Sequence, residues 1–284
     1  MDQNSTYTLS NGVKLPVIGF GTWQSPNGEV ATGAVKTALE IGYRHIDTAA
    51  AYGNEESVGA GLAASGLARE DVFLTTKVWN KDHGYDQTLA AFEMSLARLK
   101  TRYLDLYLIH WPIAYERRTD WKDTLLGTWN AMIKLYKDGR IRAIGVSNFR
   151  PHHIEHLVRN TSVVPMVNQI EYHPGFWQKY VVDFCKDLGI QIQAWSPMAQ
   201  GRVFNLPCLK ELSAKYGKSI AQICLRWELQ KGVNPLPKSV TPERIKENFS
   251  VFDFSLTEEE VAEIDGLPES GATGYDPDCF IYPP

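Results

Sequence analysis

The stretch Tyr43–Glu55, which reads YRHIDTAAAYGNE, decides the fold because it joins a strand to a helix through a polar loop. It begins with a short strand-like run that ends at Ile46 and is followed at once by Asp47. Asn54 and two glutamates then predict a helix start, with Asn54 as the N-cap and acidic residues in the first turn. We therefore expect Asp47 at a strand end and Tyr52 on the next loop, where barrel proteins hold their reactive groups.

The same step from strand to helix recurs along the chain. An Asn11-Gly12 pair between two alternating runs predicts an N-terminal β-hairpin over Tyr7–Leu15. Eight strands are predicted after it, over Val17–Phe20, Arg44–Ile46, Val72–Thr76, Leu104–Ile109, Ile141–Val146, Met166–Asn168, Ile190–Ala194 and Asn234–Pro237. Helices are predicted near Glu29–Ile41, Glu55–Ala64, Asp86–Leu99, Trp121–Lys137, Pro151–Val158, Gln178–Leu188, Cys208–Tyr216, Ile220–Gln230, Pro242–Phe249 and from Leu256 onwards.

Eight such steps in 284 residues predict an α/β fold, a closed (β/α)8 TIM barrel, for which ~250 residues is typical. The alternative is an open doubly wound sheet, which would carry G-x-G-x-x-G after its first strand. The run Gly19–Gln24 lacks the third glycine, which favours the barrel. We expect residues 1–284 to form one domain, with an irregular C-terminal tail, Pro268–Pro284, over the active-site face.

Composition is that of an ordinary globular protein, with 44% hydrophobic and 22% charged residues. The net charge of -4 gives no indication of a nucleic acid or an anionic membrane as partner. The N-terminus does not resemble a signal peptide, and the most apolar run, Leu104–Tyr115, is too short to span a bilayer. We expect reduced thiols in a cytoplasmic protein, because no paired spacing links its cysteines, Cys185, Cys208, Cys224 and Cys279. A monomer is the default expectation for such a barrel.

Polar, aromatic or glycine residues follow every predicted strand. In chain order they are Gly21, Thr22 and Trp23, then Asp47, then Lys77 with Trp79 and Asn80, then His110 and Trp111, then Ser147 and Asn148, then Gln169 and Glu171, then Trp195 and Ser196, then Lys238 and Ser239. Each one alone has an ordinary structural explanation, but chance would place polar residues at both strand ends. Their shared position therefore predicts a site at the carboxyl ends of the strands.

Four of these residues suit the protonation of an alkoxide that forms when hydride reaches a carbonyl carbon. The phenol of Tyr52 has an ordinary pKa near ~10, so it is a weak acid at neutral pH. We expect the Lys77 ammonium to lower that pKa and the Asp47 carboxylate to keep Lys77 charged. His110 can bind and orient the substrate oxygen. No serine or cysteine lies beside a base in this set, which argues against nucleophilic catalysis.

A series of motifs in fixed order resembles the aldo-keto reductase family. They are GFGTW, YRHIDTAAAYGNE, TTKVWN, DLYLIHWP, IGVSNF, MVNQIEYHP, QAWSP and PKSVTPERIKEN, and they run from about Thr8 to Phe254. Such a series is far more specific than a single glycine motif. The resemblance implies a (β/α)8 barrel that binds a nicotinamide cofactor without a Rossmann fold and reduces aldehydes and ketones to alcohols.

The resemblance also implies roles for individual residues. Asp47, Tyr52, Lys77 and His110 match the catalytic tetrad, with Tyr52 as the general acid. Substrate would bind between Trp23, Tyr52, Trp79, His110 and Trp111. Cofactor contacts would come from Gly21, Thr22, Trp23, Asp47, Ser147, Asn148, Gln169, Trp195, Ser196, Met198, Gln200, Lys238, Ser239, Arg244, Glu247 and Asn248.

Within the cofactor set, Ser147, Asn148 and Gln169 match the residues that hold the nicotinamide carboxamide, and Trp195 matches the aromatic that stacks on the ring. A tryptophan there, followed by SPMAQG, is most similar to 2,5-diketo-D-gluconate reductases and small prostaglandin F synthases of the family. The loop Pro112–Asp120 and the tail around Tyr275–Tyr282 are the segments that would set substrate choice.

NADPH/NADP+ is the predicted cofactor because Lys238, Ser239 and Arg244 offer the cationic, multidentate donors that a 2′-phosphate requires. Arg244 also falls in the first turn of a predicted helix, whose amide end favours anions. Val240 stands where the commonest pattern has an aromatic, so use of both NADPH and NADH remains open.

Two other functions remain open at this point. One is a cofactor-binding regulatory protein of the same fold with little turnover, against which the complete tetrad argues. The other is a metal-dependent hydrolase using His45, Asp47, His110 and His173, which lacks an H-x-H motif and a second ligand cluster. We expect no metal, and we expect His45 to be structural and to face away from Asp47.

Overall fold

The computed structural model of the chain describes residues 1–114 and 117–278. It begins with the predicted antiparallel hairpin of β1 (Thr6–Thr8) and β2 (Lys14–Pro16). Parallel strands then follow as β3 (Phe20–Gly21), β4 (His45–Asp47), β5 (Phe73–Val78), β6 (Leu104–Ile109), β7 (Ile141–Ser147), β8 (Val167–Glu171), β9 (Gln191–Trp195) and β10 (Asn234–Pro235).

Strands β3 to β10 form one sheet in chain order, and the sheet closes on itself. The Gly19 amide donates to Pro235 O and the Gly21 amide to Pro237 O, both at 3.0 Å, which joins the first strand to the last. Glycine is required at position 19 because a Cβ there would clash with the His45 ring. The predicted barrel is therefore confirmed, together with its N-terminal hairpin.

Helices surround the barrel and cover its outer face. They are α1 (Glu29–Ile41), α2 (Glu55–Ala64), α3 (Tyr85–Leu99), α4 (Trp121–Lys137), α5 (Pro151–Asn160), α6 (Lys179–Asp187), α7 (Pro207–Tyr216), α8 (Ile220–Gln230), α9 (Pro242–Phe249) and α10 (Glu258–Asp265). The predicted start of α10 is confirmed by a capping box, in which Thr257 and Glu260 bond each other's backbone amides. No helix in the described parts of the chain combines the length and the apolar composition needed to cross a membrane.

Several strands extend further towards their carboxyl ends than the apolar runs predict. Lys77 lies inside β5 and Gln169 inside β8, whereas both are expected from the sequence just beyond a strand. Conversely, residues 17–19 lie outside β3. Buried polar side chains can remain within a strand here because they find partners on other strands of the barrel.

Asn54 occupies the N-cap position of α2, as predicted, but its side chain does not cap the helix. Instead its Nδ2 donates to Thr22 O at 2.9 Å and to Ser25 O at 3.1 Å. Its Oδ1 accepts from Thr48 Oγ1 at 3.0 Å. The fully buried amide therefore fastens the loop after β3 to the loop after β4, and both loops belong to the face with the predicted site.

One buried carboxyl has no evident role in the predicted reaction. Glu228 on α8 is fully buried, and neither of its oxygens has a hydrogen-bond partner in the described residues. Burial raises the pKa of Glu228 well above its ordinary value. The folded protein therefore keeps a proton that the unfolded chain releases, and stability declines as pH rises from the unfolded pKa towards the folded one.

Replacing Glu228 with glutamine is expected to stabilise the protein at neutral pH, because the amide carries no protonation cost. The gain in unfolding free energy is expected to grow with pH by up to about 1.4 kcal/mol per unit above the unfolded pKa, and to level off at the folded pKa. Urea unfolding of both proteins at pH 5 and pH 8 measures it, with Glu263→Gln on the exposed face of α10 as control. A gain that does not change with pH would contradict the protonated state of Glu228.

Candidate active site

The predicted tetrad meets at the carboxyl ends of β4, β5 and β6. Lys77 is fully buried, and its Nζ donates to Asp47 Oδ1 at 2.6 Å and to Thr48 O at 2.9 Å. The same ammonium reaches Tyr52 Oη at 3.2 Å, where Tyr52 ends a short 3-10 turn. Lys77 thus joins a carboxylate on one strand to a phenol on the loop that follows that strand.

His110 lies against Tyr52 and is flanked by tryptophans. The two rings meet edge to face, with centroids 5.6 Å apart, and the Trp79 ring lies 5.1 Å from His110. Trp111 is buried, and its ring centroid is 6.4 Å from that of Tyr275 in the tail. Trp23, the remaining predicted substrate contact, is 44% exposed. The residues around His110 therefore form an aromatic wall beside the tetrad.

The pKa of Tyr52 is shifted in the direction opposite to the sequence expectation. Burial raises the pKa of Tyr52, and the Lys77 ammonium opposes this shift without reversing it. The predicted lowering of the Tyr52 pKa is therefore wrong, because a motif does not reveal how completely the phenol is buried. Tyr52 keeps its proton at neutral pH, which is the form that a general acid requires.

At neutral pH Lys77 is charged and His110 is neutral. Burial alone would lower the pKa of Lys77, but the Asp47 carboxylate and Tyr52 outweigh it, so the pKa is raised and the ammonium stays charged. Burial, the Lys77 charge and His83 together hold the pKa of His110 well below its ordinary value. A neutral imidazole has one donor and one acceptor, so His110 can orient a carbonyl oxygen without supplying the proton.

Asn148 links the tetrad to β9. Its Nδ2 donates to His110 O at 2.9 Å, and its Oδ1 accepts from Trp195 Nε1 at 2.8 Å. The backbone of Asn148 has a φ of 65°, in the left-handed region that asparagine tolerates better than most residues. The side chain therefore fixes the Trp195 indole relative to the backbone of His110.

Gln169 connects β8 to the tetrad. Its Nε2 donates to Asp47 Oδ2 at 2.8 Å and to Gln193 Oε1 at 3.1 Å, and its backbone oxygen accepts from Ser147 Oγ at 2.8 Å. The Gln169 Oε1 has no partner in residues 1–114 or 117–278. An unused amide oxygen beside this group fits the N–H of a carboxamide, so the donor set is compatible with a nicotinamide ring.

Most of the remaining predicted cofactor residues lie on the loops after β9 and β10 and on α9. The loop after β9 turns sharply, because Ser196, Gln200 and Gly201 all have positive φ. Lys238 Nζ donates to Gln24 O at 3.0 Å. Arg244 is exposed in the first turn of α9 and makes no hydrogen bond or ion pair with a described residue. A free guanidinium at a helix N-terminus is a suitable anion site.

The other predicted contacts have structural partners of their own. Thr22 Oγ1 donates to Asp47 O at 2.9 Å beside Gly21, which ends β3. Met198 packs partly buried against the core, and Ser239 Oγ accepts from the Thr241 amide at 3.1 Å. Of the two predicted cofactor residues in the second half of α9, Glu247 is exposed and Asn248 is buried.

The sequence did not predict that Glu171 holds the C-terminal tail in place by hydrogen bonds. Glu171 Oε1 accepts from the Thr273 amide at 2.6 Å and from its hydroxyl, and Oε2 accepts from the Gly274 amide at 3.1 Å. A Cβ on Gly274 would clash with the Trp195 ring, so the tail backbone lies against that indole. The sequence offers one indication that Glu171 faces the site, because Glu171 stands two residues after Gln169 and therefore shares its face of the strand.

The predicted position of the tail over the site is confirmed for residues 273–275, which contact Glu171, Trp195 and Trp111. Cys279 and Tyr282 of the tail, and Tyr115 and Glu116 of the loop Pro112–Asp120, lie outside the described residues.

The residues of the metal-hydrolase alternative do not form a ligand cluster. His45 faces the same side as Asp47, contrary to our expectation, because residues two apart on a strand share a face. Its Nε2 lies 3.0 Å from Thr75 Oγ1, and His173 Nε2 lies 3.2 Å from Glu171 Oε1. Within the described ranges, the group with metal-ligand spacing contains none of the proposed ligands and consists of His152, His153 and Asp278.

Comparison with known proteins extends these observations over nearly the whole chain. The model of the Aldo/keto reductase family matches residues 17–269. The chain is 51% identical over 277 residues to glyoxal reductase of Bacillus subtilis (strain 168), covering 98% of each. It is 46% identical over 274 residues to methylglyoxal reductase DkgA of Escherichia coli (strain K12), covering 96% of each. The structure of a Bombyx mori aldo-keto reductase in complex with NADP matches with a TM-score of 0.84 at 40% identity, covering 93% of each chain.

Proposed function

The chain belongs to the aldo/keto reductase family and reduces carbonyl compounds with NADPH, and from this premise we propose how its residues divide the reaction. Tyr52 is the general acid, and His110 orients the carbonyl oxygen. Lys77 and Asp47 form the ion pair that fixes Tyr52 and prepares it to lose its proton. The observation that carries this proposal is the Lys77 ammonium, which contacts the Asp47 carboxylate and the Tyr52 phenol at the same time.

When bound, NADPH supplies the hydride that the carbonyl carbon accepts. The Tyr52 hydroxyl donates a hydrogen bond to the carbonyl oxygen and transfers its proton as negative charge develops there. The O–H bond of Tyr52 breaks, the O–H bond of the product alcohol forms, and a tyrosinate remains until solvent returns a proton. The charged Lys77, 3.2 Å from Tyr52 Oη, stabilises that tyrosinate because the site is buried and screening is weak.

Two features of the described residues support the binding of NADPH at this site. Gln169 would offer its unused oxygen to the nicotinamide carboxamide beside Ser147 and Asn148, and Trp195 would stack on the ring. Arg244 at the start of α9 is exposed and has no partner among the described residues, which supports a 2′-phosphate site with Lys238 and Ser239. Ser196 and Gln200 would lie along the diphosphate, and Glu247 and Asn248 would contact the adenine. Further cofactor contacts are assigned to Gly21, Thr22, Trp23, Asp47 and Met198.

Small aldehydes that carry a second carbonyl are the substrate class we infer. The named relatives reduce glyoxal and methylglyoxal, and in such molecules the adjacent carbonyl makes the reacting carbon more electrophilic. The walls beside His110 are aromatic, with Trp79 and Trp111 close to the imidazole and Tyr275 beyond them. Aromatic walls exclude water from the reacting carbon, which favours the free carbonyl of such a substrate over its hydrate.

A steady-state assay tests this function. Purified protein with NADPH should oxidise the cofactor when glyoxal, methylglyoxal or 4-nitrobenzaldehyde is added, and kcat/KM should be highest for the two dicarbonyls. A higher kcat/KM for the aromatic aldehyde would refute the substrate class. Oxidation no faster than background with any carbonyl would favour the regulatory alternative with little turnover.

Arg244→Ala is expected to weaken NADPH binding and to leave NADH binding unchanged, because only NADPH carries the 2′-phosphate. The loss of a charged hydrogen bond corresponds to roughly 1.5–3 kcal/mol of binding free energy. Fluorescence titration with both cofactors measures it, and Lys246→Ala, an exposed cation on the same helix, is the matched control. Equal weakening of NADPH and NADH would place the phosphate site elsewhere.

We also infer that residues 1–284 form one domain and that the protein is a cytoplasmic monomer. A single hydrophobic cluster includes residues from Leu9 to Ile264, which supports one domain. Cys185, Cys208 and Cys224 are free thiols, which supports a reducing compartment. Light scattering should give the mass of one chain, and a dimer mass would refute the monomer.

A further inference from the structure

Three amide side chains form a row across β8, β9 and β10. The strand register places Gln169 beside Gln193 and Gln193 beside Asn234. Gln169 Nε2 donates to Gln193 Oε1 at 3.1 Å, and Gln193 Nε2 donates to Asn234 Oδ1 at 2.8 Å. Gln193 and Asn234 are fully buried, although branched apolar residues usually fill a barrel at this position.

The amide row has one allowed direction because a pure acceptor stands at each end. Asn234 Nδ2 donates at 2.8 Å to the backbone oxygen of Pro16, which forces the Asn234 oxygen towards Gln193. Gln193 must then donate with its nitrogen and accept with its oxygen. At the other end, Gln169 Nε2 also donates to the Asp47 carboxylate at 2.8 Å. The orientation of every amide in the row is therefore determined.

We propose that Gln193 and Asn234 are positioning residues for the cofactor, which act by holding Gln169. The amide row uses both N–H groups of Gln169 within the protein and leaves only its oxygen for the nicotinamide carboxamide. This inference rests on the proposed cofactor role of Gln169. Without Gln193, one Gln169 N–H loses its acceptor and the side chain gains freedom to rotate. The nicotinamide end of the cofactor is then held less firmly, while the adenine end is unaffected.

The test compares NADPH with adenosine 2′,5′-bisphosphate, which carries the 2′-phosphate but no nicotinamide. In Gln193→Leu, NADPH binding measured by fluorescence titration should weaken about 5- to 10-fold, the usual effect of one lost neutral hydrogen bond. Binding of the bisphosphate should not change. Equal weakening of both ligands, or unchanged NADPH binding, would overturn the proposal.

Gln191→Leu is the matched control for the same strand. Its amide donates only to backbone oxygens, those of Ile192 and Gly232, so neither ligand should bind more weakly to this variant. A loss of NADPH affinity in Gln191→Leu as large as that in Gln193→Leu would show a general effect of strand β9 and would overturn the specific role of Gln193.

A double variant separates positioning from stability. Gln193→Leu leaves Asn234 Oδ1 buried without a donor, whereas Gln193→Leu combined with Asn234→Leu replaces both partners by apolar groups and should recover part of the stability. The NADPH-specific loss should persist in the double variant. If NADPH affinity returned together with stability, the amide row would have only a structural role and the proposal would fail.

Gln193→Glu tests the acceptor that holds Gln169. A carboxyl group offers an oxygen to Gln169 Nε2 whether or not it is protonated, whereas leucine offers none. NADPH should therefore bind more tightly to Gln193→Glu than to Gln193→Leu, while bisphosphate affinity should be the same in both variants. NADPH affinity as low in Gln193→Glu as in Gln193→Leu would contradict the proposal.

The two ligands also separate failure of this inference from failure of the proposed function. A wild-type protein that does not bind adenosine 2′,5′-bisphosphate would refute the proposed cofactor site itself. A wild-type protein that binds it, with Gln193→Leu unchanged towards NADPH, would refute only the positioning role of the amide row.

Discussion

Replacing Tyr52 with phenylalanine should lower kcat for carbonyl reduction by about 10²- to 10⁴-fold, the usual contribution of a positioned general acid. The substitution removes only the hydroxyl that donates the proton and receives the Lys77 hydrogen bond. The ring and its edge-to-face contact with His110, at 5.6 Å between centroids, should remain. NADPH affinity should therefore stay near the wild-type value, since the phenol is not among the donors assigned to the cofactor.

Stopped-flow reduction of methylglyoxal and fluorescence titration of NADPH measure the two quantities separately. Tyr180→Phe, at a side chain that is 74% exposed, is the control for removal of a phenolic hydroxyl. If the Tyr52 variant lost kcat and NADPH affinity in the same proportion, Tyr52 would be a binding residue. If it kept its kcat, another group would supply the proton.

Lys77→Met should abolish most activity and also destabilise the fold, because it leaves the Asp47 carboxylate buried without its cation. Both side chains are almost completely inaccessible, and Nζ lies 2.6 Å from Asp47 Oδ1. Removal of one partner from such a pair typically costs about 3–5 kcal/mol of stability. The variant should therefore unfold at a lower urea concentration, and its tyrosinate would no longer have a counter-charge.

A double variant, Asp47→Asn with Lys77→Met, distinguishes the two effects of the ion pair. It removes the uncompensated charge, so the urea midpoint should recover most of its loss. Activity should remain as low as in Lys77→Met, because no cation stands beside Tyr52. Recovery of activity together with stability would mean that the ion pair only maintains the fold.

The barrel and the convergence of Asp47, Tyr52, Lys77 and His110 could be predicted because both depend on local patterns. Each strand is a short apolar run followed by a helix, and parallel strands bring their carboxyl ends to one face. The position of each residue at or just after a strand end therefore predicts that the tetrad comes together, even though Asp47 and His110 are far apart along the chain.

The features that could not be predicted depend on contacts between distant residues. Asn54 has a sequence typical of an N-cap, but its amide binds Thr22 and Ser25 on another loop. Lys77 and Gln169 stay within strands because partners on neighbouring strands satisfy them. The raised pKa of Tyr52 reflects burial that only the assembled barrel creates. In each case the deciding partner lies outside any local sequence window.

A crystal structure with NADP⁺ and an unreactive carbonyl analogue decides whether Tyr52 and His110 act on the substrate oxygen. The analogue oxygen is predicted to lie within about 3 Å of Tyr52 Oη and to accept a hydrogen bond from the His110 ring, with Lys77 still bonded to Tyr52. An analogue oxygen held by other groups, with Tyr52 beyond direct or water-bridged reach of Lys77 and His110, would contradict the mechanism.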